Sequence, residues 1–206
     1  MNPKSLREIK REATAYALAD AAFELALERG LDGFVVDDVV QYAGYSRRTF
    51  ANHFSCKEDA VASAPILLTG VHEDEVKNLL AGMPENPPLL DVLYQMMKTQ
   101  LTAGMLRKMR KVVALSKRYP TLEPYILSVL HRLQTDAQEN LSELTQVRYP
   151  EGYNHLLFGA VYGALLPVID GSLNVLLPGQ SIEEAPGATP FEQYLDTVFG
   201  YLRNGF

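Results

Sequence analysis

The sequence predicts an all-α protein of about nine helices, with a three-helix module at the amino end and a larger helical body behind it. Three observations lead there. Apolar residues recur at three- and four-residue steps along nearly the whole 206-residue chain. No stretch alternates apolar and polar residues for the length of a strand. Glycines and prolines fall at helix-length intervals, where they end one periodic run and precede the next. Hydrophobic residues make up 47% of the chain, enough for a sizeable core, and charged residues of mixed sign make up 21%, which argues against disorder.

The first helix is read over Leu6 to Arg29, on Ile9, Ala13, Tyr16, Ala17, Ala21, Phe23, Leu25 and Leu27, and Gly30 stops it. After the short LDGF connection, Val36, Val39, Val40 and Ala43 stand at i, i+3, i+4 and i+7, a second helix that Gly44 breaks. Ser46 is placed to cap a third, with Phe50 and Phe54 one turn apart on its inner side. A fourth runs from Ser55 or Lys57 to about residue 80, where GMPENPP ends it. Further helices are expected near 89–104, 106–118, 122–147, 151–176 and 190–203. Between them lie Tyr119-Pro120, Tyr149-Pro150 and the loop PGQSIEEAPGATP at 178–190. The natural division is 1–56 and 57–206.

Two short helices joined by a glycine-containing turn form a helix-turn-helix, whose second helix lies in the major groove of duplex DNA. The residue types fit that use. Arg47 and Arg48 offer planar forks for phosphates or the N7/O6 edge of guanine. Thr49 and Asn52 can donate and accept at base edges, and Ser46 caps the helix at the same contact face. His53 and Lys57 stand where the helix leaves the groove and suit phosphates, which position without specifying. Tyr45 in the turn suits groove contact and packing equally. Two arginines on a short helix are most often a solvated face; the combination of amphipathic helix, glycine turn, capping serine and inner phenylalanines favours the groove.

The formal net charge is −6, but the sign that matters to DNA is local. Met1 to Arg11 holds Lys4, Arg7, Lys10 and Arg11 against Glu8 alone, and Ser46 to Lys57 holds three basic residues and no acid. No run approaches the roughly 18 apolar residues of a membrane span, and the charged amino end is unlike a secretory signal. The one cysteine, Cys56, excludes an intrachain disulfide and favours a reducing, cytoplasmic setting.

On the segments ADAAFELALERG, VDDVVQYAGYS, RRTFANHF and CKEDAV, residues 8–62 resemble the DNA-binding region of TetR-family transcriptional regulators. The resemblance implies a ligand-responsive regulator, most simply a repressor. It would bind a pseudo-palindromic operator as a homodimer and release it when a small molecule enters the body; the alternative is an activator, or a regulator without an effector. It assigns DNA contact to Arg47, Arg48, Thr49, His53 and Lys57. Two positions depart from the family pattern. Val35 replaces a frequent capping threonine, so the second helix is expected to start on Asp37 or Asp38 and lose a phosphate contact. Ala51 replaces a frequent aromatic, removing another contact.

The last two long helices would form the dimer bundle. Gly159 and Gly163, one turn apart, permit close approach, and Leu156, Phe158, Leu165, Leu166, Leu195, Val198, Phe199 and Leu202 add apolar surface. Pro167 should bend or break the eighth helix. Met96, Met97, Leu101, Met105 and Met109, with Tyr94, Tyr119, Tyr125, Phe158 and Tyr162, make either core or a pocket for a largely apolar effector. The basic run from Arg107 to Arg118 reads as a solvated face, an anion-binding rim or a cross-dimer salt bridge.

No enzyme is indicated, and no cofactor. GYSRR lacks the second glycine and the preceding strand of a nucleophile elbow. His53, His72, His131 and His155 never pair at i, i+4, Cys56 has no neighbour for zinc, and no phosphate-binding glycine loop occurs. Asp37 and Asp38 point different ways on one helix.

Overall fold

The computed structural model describes residues 5–67, 78–85, 87–145, 150–183 and 185–205. Nine α-helices have described bounds: α1 (Leu6–Arg29), α2 (Val36–Ala43), α3 (Arg47–Ala51), α4 (Lys57–Leu67), α5 (Leu89–Gln100), α6 (Ala103–Arg118), α7 (Glu123–Thr145), α8 (Glu151–Ile169) and α9 (Phe191–Asn204). The all-α expectation is met. His72 and most of the far half of the expected fourth helix lie outside the described residues; 78–81 are again helical.

Packing divides the described chain into two units, residues 5–67 with 111–130, and residues 78–110 with 131–205. In the first, α1 packs on α4 and α2, and α2 on α3. Small residues allow the close approach: Ala19, Ala22 and Ala26 of α1 and Ala60 and Ala64 of α4 are all buried. Phe23, Leu18, Leu25, Leu31 and Val39 fill the space between, joined by Val112, Leu122 and Val129 from the later segment. Burying a side chain such as Phe23 contributes about 1.5–3 kcal/mol.

Burial begins late on α1. Residues 5–13 are exposed on every side, Ile9 and Ala13 included, and the first fully buried residue is Leu18. The apolar spacing therefore predicts the helix correctly but overstates its packed length. The free end is closed by a capping box, Ser5 Oγ accepting from the Glu8 N–H and the Glu8 carboxylate accepting from the Ser5 N–H. At the other end Gly30 has φ +74°, and the Tyr119 hydroxyl occupies the place a β-carbon there would take. Only glycine fits on both counts.

In the second unit α9 packs on α5. Arg203 donates to Asp91 at 2.9 and 3.1 Å, the Tyr94 ring meets Phe199 edge-on at 5.2 Å, and the Tyr94 hydroxyl bonds Asp196. Three features differ from expectation. The break after α5 falls at Leu101–Thr102, because Thr102 Oγ1 accepts from the Met105 N–H and starts α6 early. Helix α8 ends at Ile169 rather than near 176, two residues past Pro167. There Asp170 accepts from the Ser172 N–H and Gly171 takes φ +78°, which turns the chain out of the helix. Finally, a two-stranded parallel ribbon exists, Val175–Leu176 against Thr189–Pro190. Two residues per strand are too few for an alternating pattern to be read.

One member of the basic run is turned inward. The Arg110 guanidinium donates to the carbonyls of Val168 (2.9 Å) and Val175 (3.0 Å). It thus joins the last turn of α8 to the ribbon, a cation where helix carbonyls lack partners. Burial pushes its pKa below the ordinary value.

Candidate nucleic-acid interface

The turn and α3 are built as the residue pattern requires. Val39 and Val40 of α2 face the core; Gly44 is left-handed at φ +74°, and the Tyr45 N–H bonds back to the Val40 carbonyl at 2.9 Å. Ser46 Oγ accepts from the Thr49 N–H at 3.1 Å and shares a 2.8 Å hydrogen bond with Thr49 Oγ1. Phe50 and Phe54 are buried with ring centroids 5.6 Å apart. These anchors leave Tyr45, Ser46, Arg47, Arg48 and Asn52 exposed on one rim, with Thr49 and His53 half-buried beside them. Helix α2 starts on Val36, one residue before the expected Asp37. Val35 has no side-chain acceptor, yet the Asp38 carboxylate takes its N–H at 2.8 Å and closes the end from inside. Ala51 is exposed on α3.

The two arginines are not equivalent. Arg47 forks onto Asp37 across the turn, Nη2 to Oδ2 at 2.6 Å and Nε to Oδ1, and this hydrogen-bonded carboxylate raises its pKa. Both side chains remain largely exposed, so the pair is weak enough to open against a phosphate or a base. Arg48 faces solvent and forms no ion pair with any of the described residues. Lys57 is already engaged within the unit. Its ammonium donates to the carbonyls of Leu31 (2.6 Å) and Phe34 (2.7 Å) and lies 4.9 Å from the Phe34 ring centre. One of its three protons is left for a phosphate.

His53 is held below its ordinary pKa first by burial and then by the positive charge of Arg11. Arg11 is on α1, and it belongs to a feature that the residue pattern of the helix-turn-helix does not include. Arg7, Lys10, Arg11 and Thr14 line one wall of a groove of about 700 Å³ whose other wall is Thr49, Asn52 and His53. Its sequence signal is the i, i+3, i+4, i+7 spacing of 7, 10, 11 and 14.

The residues expected to line an effector pocket are divided. Tyr119 and Tyr125 belong to the first unit and pack against its core. Met97, Met105, Met109 and Phe158 are buried in the second unit, with Tyr94, Leu101 and Tyr162 half-buried there. A groove of about 460 Å³ in that unit runs between residues 98–102, 176–180 and 190–195; of the expected lining it takes only Leu101. Among the described residues no three His, Cys, Asp or Glu side chains gather as a metal site.

Comparison with known proteins agrees with this geometry. Residues 18–64 match the profile described as bacterial regulatory proteins, tetR family. YwcC of Bacillus subtilis (strain 168), an uncharacterised HTH-type transcriptional regulator, is 41% identical over 56 residues, which are 27% of this chain and 25% of YwcC. The match thus spans about a quarter of that relative's length. In fold, the chain is similar to a crystal structure assigned to a TetR-family transcriptional regulator of Mesorhizobium loti MAFF303099. The TM-score is 0.50 with 18% identity, over 93% of this chain and 95% of the other. Residues 18–64 thus carry a tetR-type DNA-binding region by sequence, and the whole chain shares its fold with a solved regulator of that family.

Proposed function

We propose that the protein is a cytoplasmic, ligand-responsive transcriptional regulator that binds a pseudo-palindromic operator as a homodimer and acts by repression, releasing DNA when a small, largely apolar molecule binds. The observation that carries the DNA half is the exposed rim of Tyr45, Ser46, Arg47, Arg48 and Asn52 on a five-residue helix anchored by buried Phe50 and Phe54. A rim of donors and cations on a fixed base suits major-groove readout with flanking phosphate contact. In this reading Arg48 is the arginine ready for a base edge, and Arg47 is held by Asp37 until DNA competes for it. Thr49 and His53 contact the flank, and Lys57 offers its remaining proton.

In this reading 1–56 reads DNA and 57–206 pairs and senses, with 57–67 and 111–130 packed into the same unit as the reading head. Homodimerisation through α8 is supported by Leu156, 74% exposed, and by the open space above Gly159 and Gly163. Leu195 and Phe199 of the expected dimer set are buried within the unit and serve its core instead. The effector half rests on the buried methionines Met97, Met105 and Met109, side chains that adapt to irregular partners. A population shift between dimer states of different recognition-helix spacing would then release DNA.

The test is selection of a binding site from random duplexes with the full chain, then titration of the selected duplex with apolar candidate ligands. A recovered inverted repeat whose affinity falls with one ligand supports the reading. Recovery of no preferred duplex sinks the DNA half; a repeat that no ligand affects leaves a regulator without an effector.

A further inference from the structure

The first turns of α1 pose a physical question. A helix gains most of its stability from packing an apolar face, yet residues 5–13 are exposed all round and Leu6 is 77% exposed. The overhang is nevertheless closed by a complete capping box. One stripe of its polar side is cationic, with Glu8 and Glu12 beside it. Arg7, Lys10, Arg11 and Thr14 stand at i, i+3, i+4 and i+7, while Leu6, Ile9 and Ala13 lie on the opposite side. The acid within the groove, Glu8, is turned back on Ser5, bonding its N–H at 2.8 Å and its hydroxyl at 2.9 Å. The polar face does not look into empty solvent, because it forms the wall opposite Asn52 and His53 of the recognition segment.

We propose that this overhang of α1 is a second DNA-contacting surface, a phosphodiester clamp in which Arg7, Lys10 and Arg11 grip the backbone beside the groove that α3 reads. The inference rests on the DNA-binding reading above and adds residues to it. Charge complementarity identifies the occupant: three cations and a hydroxyl on one helical face, continuous with the rim of α3. At 1.5 Å rise per residue, Arg7 to Thr14 extends about 10 Å, comparable with roughly three phosphates of one strand. Its contribution is independent of sequence, so it raises affinity for every duplex and leaves selection to α3.

The experiment compares the full-length protein with the triple variant Arg7→Gln/Lys10→Gln/Arg11→Gln and with the single variant Arg11→Gln, on a selected operator and on random duplex from low to high salt. All three changes fall on exposed residues, and circular dichroism with thermal unfolding checks that the variants are folded. The triple variant should lose about ten- to a hundredfold in affinity on both duplexes, with an unchanged operator-to-random ratio. Its plot of log affinity against log salt should be shallower by about two to three units for each protomer bound. Arg11→Gln should be shallower by about one unit. Hydroxyl-radical footprinting should show protection lost only at backbone positions flanking the α3 site. An unchanged salt slope, or a loss confined to the operator, overturns the clamp while leaving α3 as reader. Failure of the unaltered protein to prefer any duplex overturns both.

Discussion

Helix α3 and helix α8 show two kinds of exposed surface. On α3 and its flanks the exposed Tyr45, Ser46, Arg47, Arg48 and Asn52 offer polar or cationic groups, and Phe50 and Phe54 are turned in. On α8 the outward stripe is Leu156, Gly159, Gly163 and Leu166, with open space above both glycines. A polar rim on a fixed base fits a hydrated polyanion, whereas leucines flanking small residues fit another helix at close range. Fractional exposure alone therefore does not identify a binding surface; the chemistry of what is exposed does. Under the proposed function the same contrast separates the two surfaces by partner, DNA for α3 and a second copy of the chain for α8.

The most damaging challenge to that assignment is a charge on the apolar stripe. Leu156→Arg is expected to convert the dimer to a monomer in sedimentation while shifting unfolding by no more than about 0.5 kcal/mol, as for other surface changes. Operator affinity should fall by roughly a hundredfold or more, since two linked reading heads gain that much from joint binding. A dimer that survives the change removes α8 from the interface. Next in size is Arg48→Ala, for which the preference for the selected operator over a site altered at one base pair should fall about ten- to a hundredfold. Unchanged preference would transfer the base contact to Arg47.

A third experiment sets the exposed arginines against the one turned inward. Arg110→Met leaves the carbonyls of Val168 and Val175 without their donor, and urea unfolding should show a loss of about 1–3 kcal/mol. DNA affinity per folded molecule should not move. The smallest effect concerns His53. Its depressed pKa means that the unfolded chain takes up a proton more readily than the folded one. Its contribution to stability is therefore complete above about pH 6.5 and lost as pH falls through the lower folded value. A phosphate at the same place favours the charged ring, so DNA affinity should rise as pH falls over that window, by less than about tenfold. His53→Gln should abolish the rise; an identical pH profile in the variant would place the phosphate elsewhere.

Much of the fold was legible because its signals are local. Gly30, Gly44 and Ser46 terminate and start helices through backbone conformation and a short hydrogen bond, and each acts in the structure as the sequence implied. Local signals failed where a distant group decides. Lys57 reads as a free cation until the Leu31 and Phe34 carbonyls claim it, and Arg110 reads as part of a basic run until the end of α8 does. The Asp37–Arg47 fork spans ten residues and no helical period, so spacing gives no hint of it. On the rim, residue types pointed to α3 correctly as an exposed polar surface, whereas the α1 wall was visible only as a local excess of charge. The pocket residues were the least legible. Methionine and tyrosine at helical spacing serve a core and a cavity alike, and the sequence does not say that Tyr119 and Tyr125 pack with the first unit.

The first unit is assembled from two stretches of chain, and this affects the order in which it can be completed during synthesis. Val112, Leu122 and Val129 complete a core that starts with Leu18, and Tyr119 closes the turn at Gly30. A nascent chain emerging amino end first therefore carries its helix-turn-helix without the last buried partners until residues 112–129 have left the ribosome. Until then Phe23 and Leu31 lack the neighbours that residues 112–129 bring to the finished unit, and the apolar surface of α1 stays partly uncovered.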